Sequence, residues 1–443
     1  MKLPQAVVYC LGVLQDAGFR GYAVGGCVRD SLLGLTPQDY DLCTDALPQQ
    51  IAQLFKKHTL VRSGEKHGTI GVVIDGCVYE ITTFRTEGGY TDSRHPDWVR
   101  FVCRLEDDLS RRDFTVNAMA YCPTEGYADP WGGRQDLTDR VLRAVGDPKI
   151  RFTEDPLRIL RGVRFAVRYG LTPEKETLDA MIALAPLMDR LARERVFDEL
   201  CKLLPVLKAQ DLLWAQPIIT QVIPELKPSV GFLQHNPHHR YDVYTHTAHV
   251  VALTPPRLAL RWAALLHDVG KPHTFAPDQQ GIGHFPDHDK ISTEAADSIL
   301  LRLKAPNALR QQVVTLIQRH MMLLPPETKV IRRWLGRLGE SLYFDLLELQ
   351  RADMLGKGTD CDTSLLSQLK NIGQALLQQQ ACLSLKDLAI KGDALTAMGL
   401  SGKSVGLCLN FLLEQVLDEA IPNSQEALIQ AAKDWKTQKE VTL

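Results

Sequence analysis

The sequence predicts an α+β protein whose strands are confined to its N-terminal part. Three observations carry this. Helical and extended patterns alternate from the start: a helix over 5–17, a strand over 21–24, a helix over 28–33, a strand over 39–43 and a helix over 48–57. The alternation ends in a hairpin signature, in which the β-branched runs 70–74 and 78–84 are joined by Asp75-Gly76. Beyond residue 141 nearly every stretch carries a helical period.

A chain of 443 residues is long enough for two to four domains. An apolar content of 45% and a charged content of 23% are those of an ordinary soluble globular protein. The net charge of -2 excludes a globally basic nucleic-acid binder, so any RNA site must be local. The stretch from Arg143 to Arg168, with seven basic residues against three acids, is the place for one. Ten cysteines without a CxxC pair favour reduced thiols and a cytoplasmic protein. Residues 1–19 have no signal-type cleavage site and read as a first amphipathic helix. No run reaches transmembrane length, so no membrane is expected, and no obligate protein partner is evident.

The chemistry concentrates in Gly21 to Asp45. Gly25-Gly26 follows a short apolar strand, and without Cβ atoms the backbone can turn tightly there and approach a phosphate. Arg29 falls in the first turn of the next helix, beside the glycines, which suits an anion. Asp39 and Asp41 are two apart on an extended strand and project from one face. Hard oxygen ligands so placed suit Mg²⁺ bridging to substrate phosphates. Glu80, mid-strand, is either a third carboxylate beside them or half of a cross-strand salt bridge.

Residues 85–100 are polar and glycine-bearing and read as a long loop. In the run 109–120, Arg111, Arg112, Asp113 and Asn117 gather at one end of an expected apolar helix, in reach of a triphosphate or ribose. A turn and a short strand over 128–137 close the first domain near residue 140. Residues 153–168 read as one helix capped by Thr153, with Pro156 in its first turn. Its apolar stripe is flanked by Arg158, Arg161, Arg164 and Arg168, more cations than Glu154 and Asp155 can neutralise, and Asp155 is one turn from Arg158 and able to pair with it.

A second constellation lies downstream. His246, the adjacent His267-Asp268 followed by Gly270-Lys271, and Asp353 supply the nitrogen and oxygen donors a divalent metal requires, and His288 and His320 are candidate ligands of a second metal.

GGCVRD with DYD, then RTEGGYTDSRHP, RRDFTVNAM, DPWGGRQDL and EDPLRILRGVRF, in this order over the first 230 residues, resemble the bacterial tRNA nucleotidyltransferases of the second class, the CCA-adding enzymes. The His267-Asp268 motif resembles the HD superfamily of metal-dependent phosphohydrolases. The resemblance implies a small mixed-sheet nucleotidyltransferase head over 1–140, a helical neck over 141–230, an all-α HD body over 231–357 and a helical tail over 358–443. It implies that Asp39 and Asp41 hold Mg²⁺ with Glu80 as third acid. It gives Gly26 and Arg29 the triphosphate, and Arg112, Asp113 and Asn117 the ribose and phosphates. Asp155 and Arg158 would read the base, assisted by Arg161 and Arg164. The implied partners are tRNA, CTP and ATP. Cytosine and adenine both present an exocyclic amine beside a ring-nitrogen acceptor. A carboxylate acceptor beside an arginine donor therefore accepts them and leaves unpaired groups against uracil or guanine. An A-adding-only enzyme, a poly(A) polymerase and, in another class, an HD phosphohydrolase remain alternatives. The segment 85–100 argues against a CC-only enzyme.

Overall fold

The computed structural model describes residues 1–88 and 98–441. It divides into two compact units, Met1–Pro224 with Arg302–Lys304, and Glu225–Leu301 with Ala305–Leu443.

In the first unit, α1 (Gln5–Asp16) buries Val7, Cys10, Leu11 and Leu14, the spacing of one helical face. There follow β1 (Gly21–Val24), α2 (Gly26–Leu32), β2 (Asp41–Thr44), α3 (Pro48–Leu54) and β3 (Thr59–Val61). The expected hairpin is β4 (Thr69–Ile74) with β5 (Cys77–Thr83), and Asp75 and Gly76 both have the positive φ that a tight primed turn needs. After them come β6 (Arg85–Gly88), β7 (Trp98–Phe101), α4 (Leu105–Ser110), β8 (Ala120–Cys122), β9 (Gly126–Ala128) and α5 (Gly133–Thr138). The main sheet runs β3-β4-β5-β2-β1-β8-β9. Only β2 and β5 pair in parallel, so the sheet is mixed, as expected. Tyr22, Val24, Cys43, Phe84, Leu109 and Ala120 form its apolar cluster, which holds the ends of β1 and β2 in place.

Four local expectations are corrected. The ends of the 85–100 segment are not loop but the antiparallel ribbon β6–β7; residues 89–97 lie outside the described residues. Residues 109–120 form no apolar helix: α4 stops at Ser110, a single 3-10 turn spans Thr115–Asn117, and the chain enters β8. The chain is buried residue after residue from Asp113 to Ala120, so its apolar run reflects burial on all sides rather than one face of a helix. Residues 133–138 are helix rather than strand, because the Asp129 carboxylate accepts from the backbone N–H groups of Gly133 (2.7 Å) and Arg134 (2.9 Å) and starts a turn.

Finally, 153–168 is two elements, α6 (Pro148–Glu154) and α7 (Leu157–Tyr169). Pro156 disfavours helical geometry in the residue before it, and Asp155 takes φ -137 and ψ 98. Asp147, not Thr153, caps α6 by accepting from the Lys149 N–H at 2.8 Å, while the Thr153 hydroxyl donates to the Lys149 carbonyl. Helices α8 (Lys175–Leu184) and α9 (Arg193–Leu203) follow, and α9 packs on α7.

The second unit is helical apart from the short pair 276–277 and 283–284. Helices Val243–Leu253, Leu258–Leu266, Asn307–Arg319 and Glu340–Gly356 pack on one another around the fully buried Trp262. A separate apolar cluster including Leu395, Cys408, Leu412 and Leu428 is formed by the last helices. All ten cysteines are free, and no described helix is long and apolar enough to cross a membrane.

A Cβ built on Gly133 would lie 2.2 Å from the Thr115 carbonyl oxygen, a backbone atom that cannot swing aside. Gly133→Ala is expected to cost about 2 kcal/mol. A thermal melt of the full chain should show Tm lowered by roughly 4–8 °C; an unchanged Tm would contradict this docking of α5.

Candidate active site and metal-binding centre

The first unit contains a cleft of about 410 Å³ that opens over the start of α2. Gly25 caps α2 at φ 77, and a Cβ there would stand 2.8 Å from Nη1 of Arg112, so glycine satisfies both the turn and the close approach of an arginine. Arg29 is buried at the cleft wall. It donates to Asp30 (2.7 and 2.8 Å), to the Asn117 side-chain oxygen and to the Tyr169 hydroxyl (2.6 Å).

The segment 111–117 forms the next wall. Asn117 donates to Asp113 Oδ1 at 2.9 Å, and Arg161 of α7 donates to Asp113 Oδ2 at 2.8 Å. Burial works to raise the Asp113 carboxyl, but Arg161 and the Asn117 amide outweigh it and hold it down at about 2. Arg111 and Arg112 are anchored by the fully buried Asp108, and Arg111 also reaches Glu87 at 3.3 Å.

The third wall comes from the α6–α7 junction, and here two expectations fail. Asp155 and Arg158 do not pair. The break at Pro156 turns Asp155 away from the turn that carries Arg158; its Oδ1 accepts from the Leu157 N–H at 3.1 Å and its Oδ2 from Arg195 of α9 at 2.9 Å. Arg158 instead pairs with Glu154 at 2.9 Å and donates to the carbonyls of Arg151 and Arg111. Nor is the arginine stripe uncompensated: Arg161 meets Asp113, and Arg164 meets Glu199 at 2.6 Å, both acids distant in sequence. Arg29, Arg161 and Arg164 converge on the Phe165 ring, with guanidinium carbons 5.2, 5.2 and 4.3 Å from its centroid.

At the far edge, Asp41 opens β2, where the parallel register brings it beside Glu80 of β5. Asp39 is exposed and precedes the strand, which begins at Asp41 because that is where pairing with β1 starts. Surrounding protein raises the Asp41 carboxyl, Arg112 opposes this and Asp39 adds to it. Partial burial, then Asp41 and Asp39, raise Glu80 in the same way. Among the described residues neither Asp41 nor Glu80 has an ion-pair partner, so the cross-strand salt bridge is absent. Among the described residues the three carboxylates do not form a tight ligand group, but Asp39 adds to the raising of Asp41 and both add to that of Glu80, a donor set that fits a cation.

The second unit brings all six downstream residues together. His246, His267, Asp268 and Asp353 form one buried group, and Asp268, His288 and His320 another, with ligand atoms in each within 4.8 Å. Nδ1 of His267, His288 and His320 lies 2.9, 2.8 and 2.7 Å from the carbonyl three residues earlier in each case. That bond places the proton on Nδ1 and leaves the Nε2 lone pair aimed inward. His246 Nε2 lies 3.0 Å from Asp353 Oδ1 and 3.3 Å from Asp268 Oδ2, yet without hydrogen-bond geometry. Four histidine Nε2 atoms are thus buried without a hydrogen bond around Asp268, whose Oδ2 faces the Lys271 ammonium at 2.6 Å, an arrangement that is expensive for the nitrogens unless a metal satisfies them. Burial would raise the carboxyls of Asp268 and Asp353, but His267, Lys271 and His246 hold Asp268, and His246 and His267 hold Asp353, well below the usual range.

Sequence reasoning found the cleft's arginines but missed Glu87, Glu154, Tyr169, Arg195 and Glu199. A lone charged residue or tyrosine carries no signal of its own; only the tertiary partner makes it part of a site.

A mixed sheet with a glycine turn, edge carboxylates and an arginine-walled cleft defines a nucleotidyltransferase head joined to helical domains. Residues 21–143 match the family described as Poly A polymerase head domain, residues 170–229 that described as probable RNA and SrmB-binding site of polymerase A, and residues 274–432 that described as tRNA nucleotidyltransferase domain 2, putative. The chain belongs to the family of CCA-adding enzymes. It is 33% identical over 428 residues to the CCA-adding enzyme of Levilactobacillus brevis, with 96% of each chain covered, and 31% identical over 424 residues to that of Bacillus velezensis, covering 95% of this chain and 96% of the other. With the CCA-adding enzyme of Leuconostoc mesenteroides it shares 47% over 206 residues, 46% of this chain and 51% of that one. The crystal structure of Bacillus stearothermophilus CCA-adding enzyme in complex with CTP superposes with a TM-score of 0.72 at 25% identity, covering 100% of both chains.

The Asp113 carboxyl lies lower folded than the ordinary unfolded value, so its stabilisation is complete above about pH 4 and is lost as the pH falls toward 2. Asp113→Asn should lower stability at neutral pH by about 2 kcal/mol. Urea unfolding at a series of pH values checks this: the gap from the unsubstituted chain should narrow only below about pH 4.

Proposed function

We propose that this chain adds C, C and A to the 3′ end of tRNA from CTP and ATP without a nucleic-acid template, releasing pyrophosphate. The observation that carries the reading is the single cleft in which Gly25-Gly26, Asp41 and the segment 111–117 meet Asp155 and Arg158. Gly26 and Arg29 take the triphosphate, and Arg112, Asp113 and Asn117 the ribose and phosphates. Arg111, tied to Asp108 and Glu87, props that wall. Asp155 and Arg158 read the base, with Arg161 and Arg164 in support. Arg195 holds the carboxylate of Asp155 and Glu154 holds the guanidinium of Arg158, so acceptor and donor are fixed separately. A fixed acceptor and donor pair matches cytosine and adenine and leaves unpaired groups against uracil and guanine.

The reaction is in-line attack of the tRNA 3′-hydroxyl on the α-phosphorus of the nucleotide, with pyrophosphate leaving. Asp39 and Asp41, with Glu80 as the third acid, would hold Mg²⁺, which when bound lowers the hydroxyl's pKa and stabilises the leaving oxygens. A head over 1–140, a neck over 141–230, an HD body over 231–357 and a tail over 358–443 are the corresponding parts, acting in the cytoplasm.

A second reading is favoured by a separate observation: the buried, unsatisfied histidine nitrogen atoms of the second unit. His246, His267, Asp268 and Asp353 would bind one divalent metal, His288 and His320 with Asp268 a second, giving a phosphohydrolase centre of the HD type in addition to the transferase.

Incubating tRNA lacking its CCA end with CTP and ATP, separately and together, sorts a full CCA enzyme from an A-adding enzyme or poly(A) polymerase: CTP alone should add two residues, and both together three. Asp41→Ala should reduce addition by roughly three orders of magnitude or more while leaving metal content in the second unit intact. Unchanged addition would refute the assignment. Elemental analysis of the purified chain should find divalent metal that is lost in His267→Ala; equal content in both would count against the HD centre.

A further inference from the structure

We propose that Tyr169 is a positioning residue for the nucleotide's triphosphate, closing a ring of bonds that aligns the phosphate-binding and base-reading sides of the cleft. Arg29, the arginine beside the glycine turn, has its guanidinium over the Tyr169 ring, 4.2 Å from the centroid, and donates to the Tyr169 hydroxyl at 2.6 Å. Both partners are buried, Arg29 at 5% and Tyr169 at 7% exposure. Between two side chains this well buried, a hydrogen bond to a charged group holds its geometry tightly.

What makes the contact more than packing is its place in a circuit. From Tyr169 the bonds run to Arg29, from Arg29 to Asn117, from Asn117 to Asp113, and from Asp113 back to Arg161. Tyr169 and Arg161 stand on the same helix α7, about 12 Å apart along its axis. The head residues that face triphosphate and ribose are therefore clamped at two points on the helix that begins beside Asp155 and carries Arg158. Phe165 lies between the clamp points and stacks against Tyr169 at 6.1 Å, supporting Arg29 from the same face. Removing the hydroxyl frees one edge of Arg29 while its bonds to Asp30 and Asn117 remain. The guanidinium stays in the cleft but loses its fixed angle toward the phosphates.

The role rests on the proposed nucleotide addition. Tyr169→Phe keeps the ring and loses the hydroxyl, and Tyr169→Leu loses both. For Tyr169→Phe the KM for CTP and for ATP should rise about three- to tenfold, with kcat within twofold and the KM for tRNA unchanged. Tyr169→Leu should raise the nucleotide KM further, so that phenylalanine is a partial rescue. Calorimetric titration of each protein with CTP alone should show the same order of weakening. Nucleotide KM and calorimetric affinity within twofold of the unsubstituted chain in Tyr169→Phe, with its Tm unchanged, would overturn the proposal, as would an equal rise in KM for tRNA. An unsubstituted chain that adds nothing to truncated tRNA would instead count against the proposed function, and the CTP titrations would still decide the role of Tyr169.

Discussion

The bond between Asp113 and Arg161 is the constraint on which the first unit's site depends. A carboxylate with 7% exposure is costly to desolvate and persists only because a guanidinium and an amide compensate it. Because Asp113 lies on the turn between α4 and β8 while Arg161 lies on α7, the compensation ties the sheet-bearing head to the helix after it. Asn117 and Arg29 extend the same tie to the glycine turn. The network keeps several cations close together because each is partly neutralised by an acid: Arg29 by Asp30 of its own helix, Arg161 and Arg164 by Asp113 and Glu199 from other elements.

The α6–α7 break decides how the base-facing groups are presented. In one continuous helix, Asp155 and Arg158 would lie on the same face and neutralise one another. With Pro156 between them, Asp155 ends one helix, caps the next and leans on α9, while Arg158 leans on α6. Acceptor and donor remain separate functions that a base edge can meet together. The acids missing from the local charge count, Asp113 and Glu199, also keep Arg161 and Arg164 from repelling Arg158 and Arg29 across a small cleft.

The centre in the second unit follows a different logic. Its histidines are locked by backbone carbonyls at Nδ1 and left bare at Nε2. Helix ends at His267, His288 and His320 supply that geometry, since a carbonyl three residues back in the last or first turn keeps a free lone pair, even at Phe285 and Ile317, where it also accepts the histidine's own backbone N–H. Lys271, 2.6 Å from Asp268 Oδ2, partly balances the acids but leaves the inward nitrogens without a partner.

The amino-acid sequence by itself determined the α+β class, the hairpin at Asp75-Gly76, the glycine turn with Arg29, the residues of the arginine wall and the membership of the His/Asp cluster. These are written in local spacing: two glycines, a turn dipeptide, and adjacent or helically spaced ligands. It misread the strand β8, the helix α5 and the single helix over 153–168, because a short apolar run, an aspartate-capped turn and a proline each admit two local structures. The partners were decided only by the tertiary structure. Arg195 rather than Arg158 holds Asp155, Glu154 holds Arg158, Asp39 falls outside the strand of Asp41, and Tyr169 closes on Arg29 from 140 residues away. An ion pair or a stacked guanidinium depends on which side chains share a buried space, and that is set by the packing of distant elements rather than by distance along the chain.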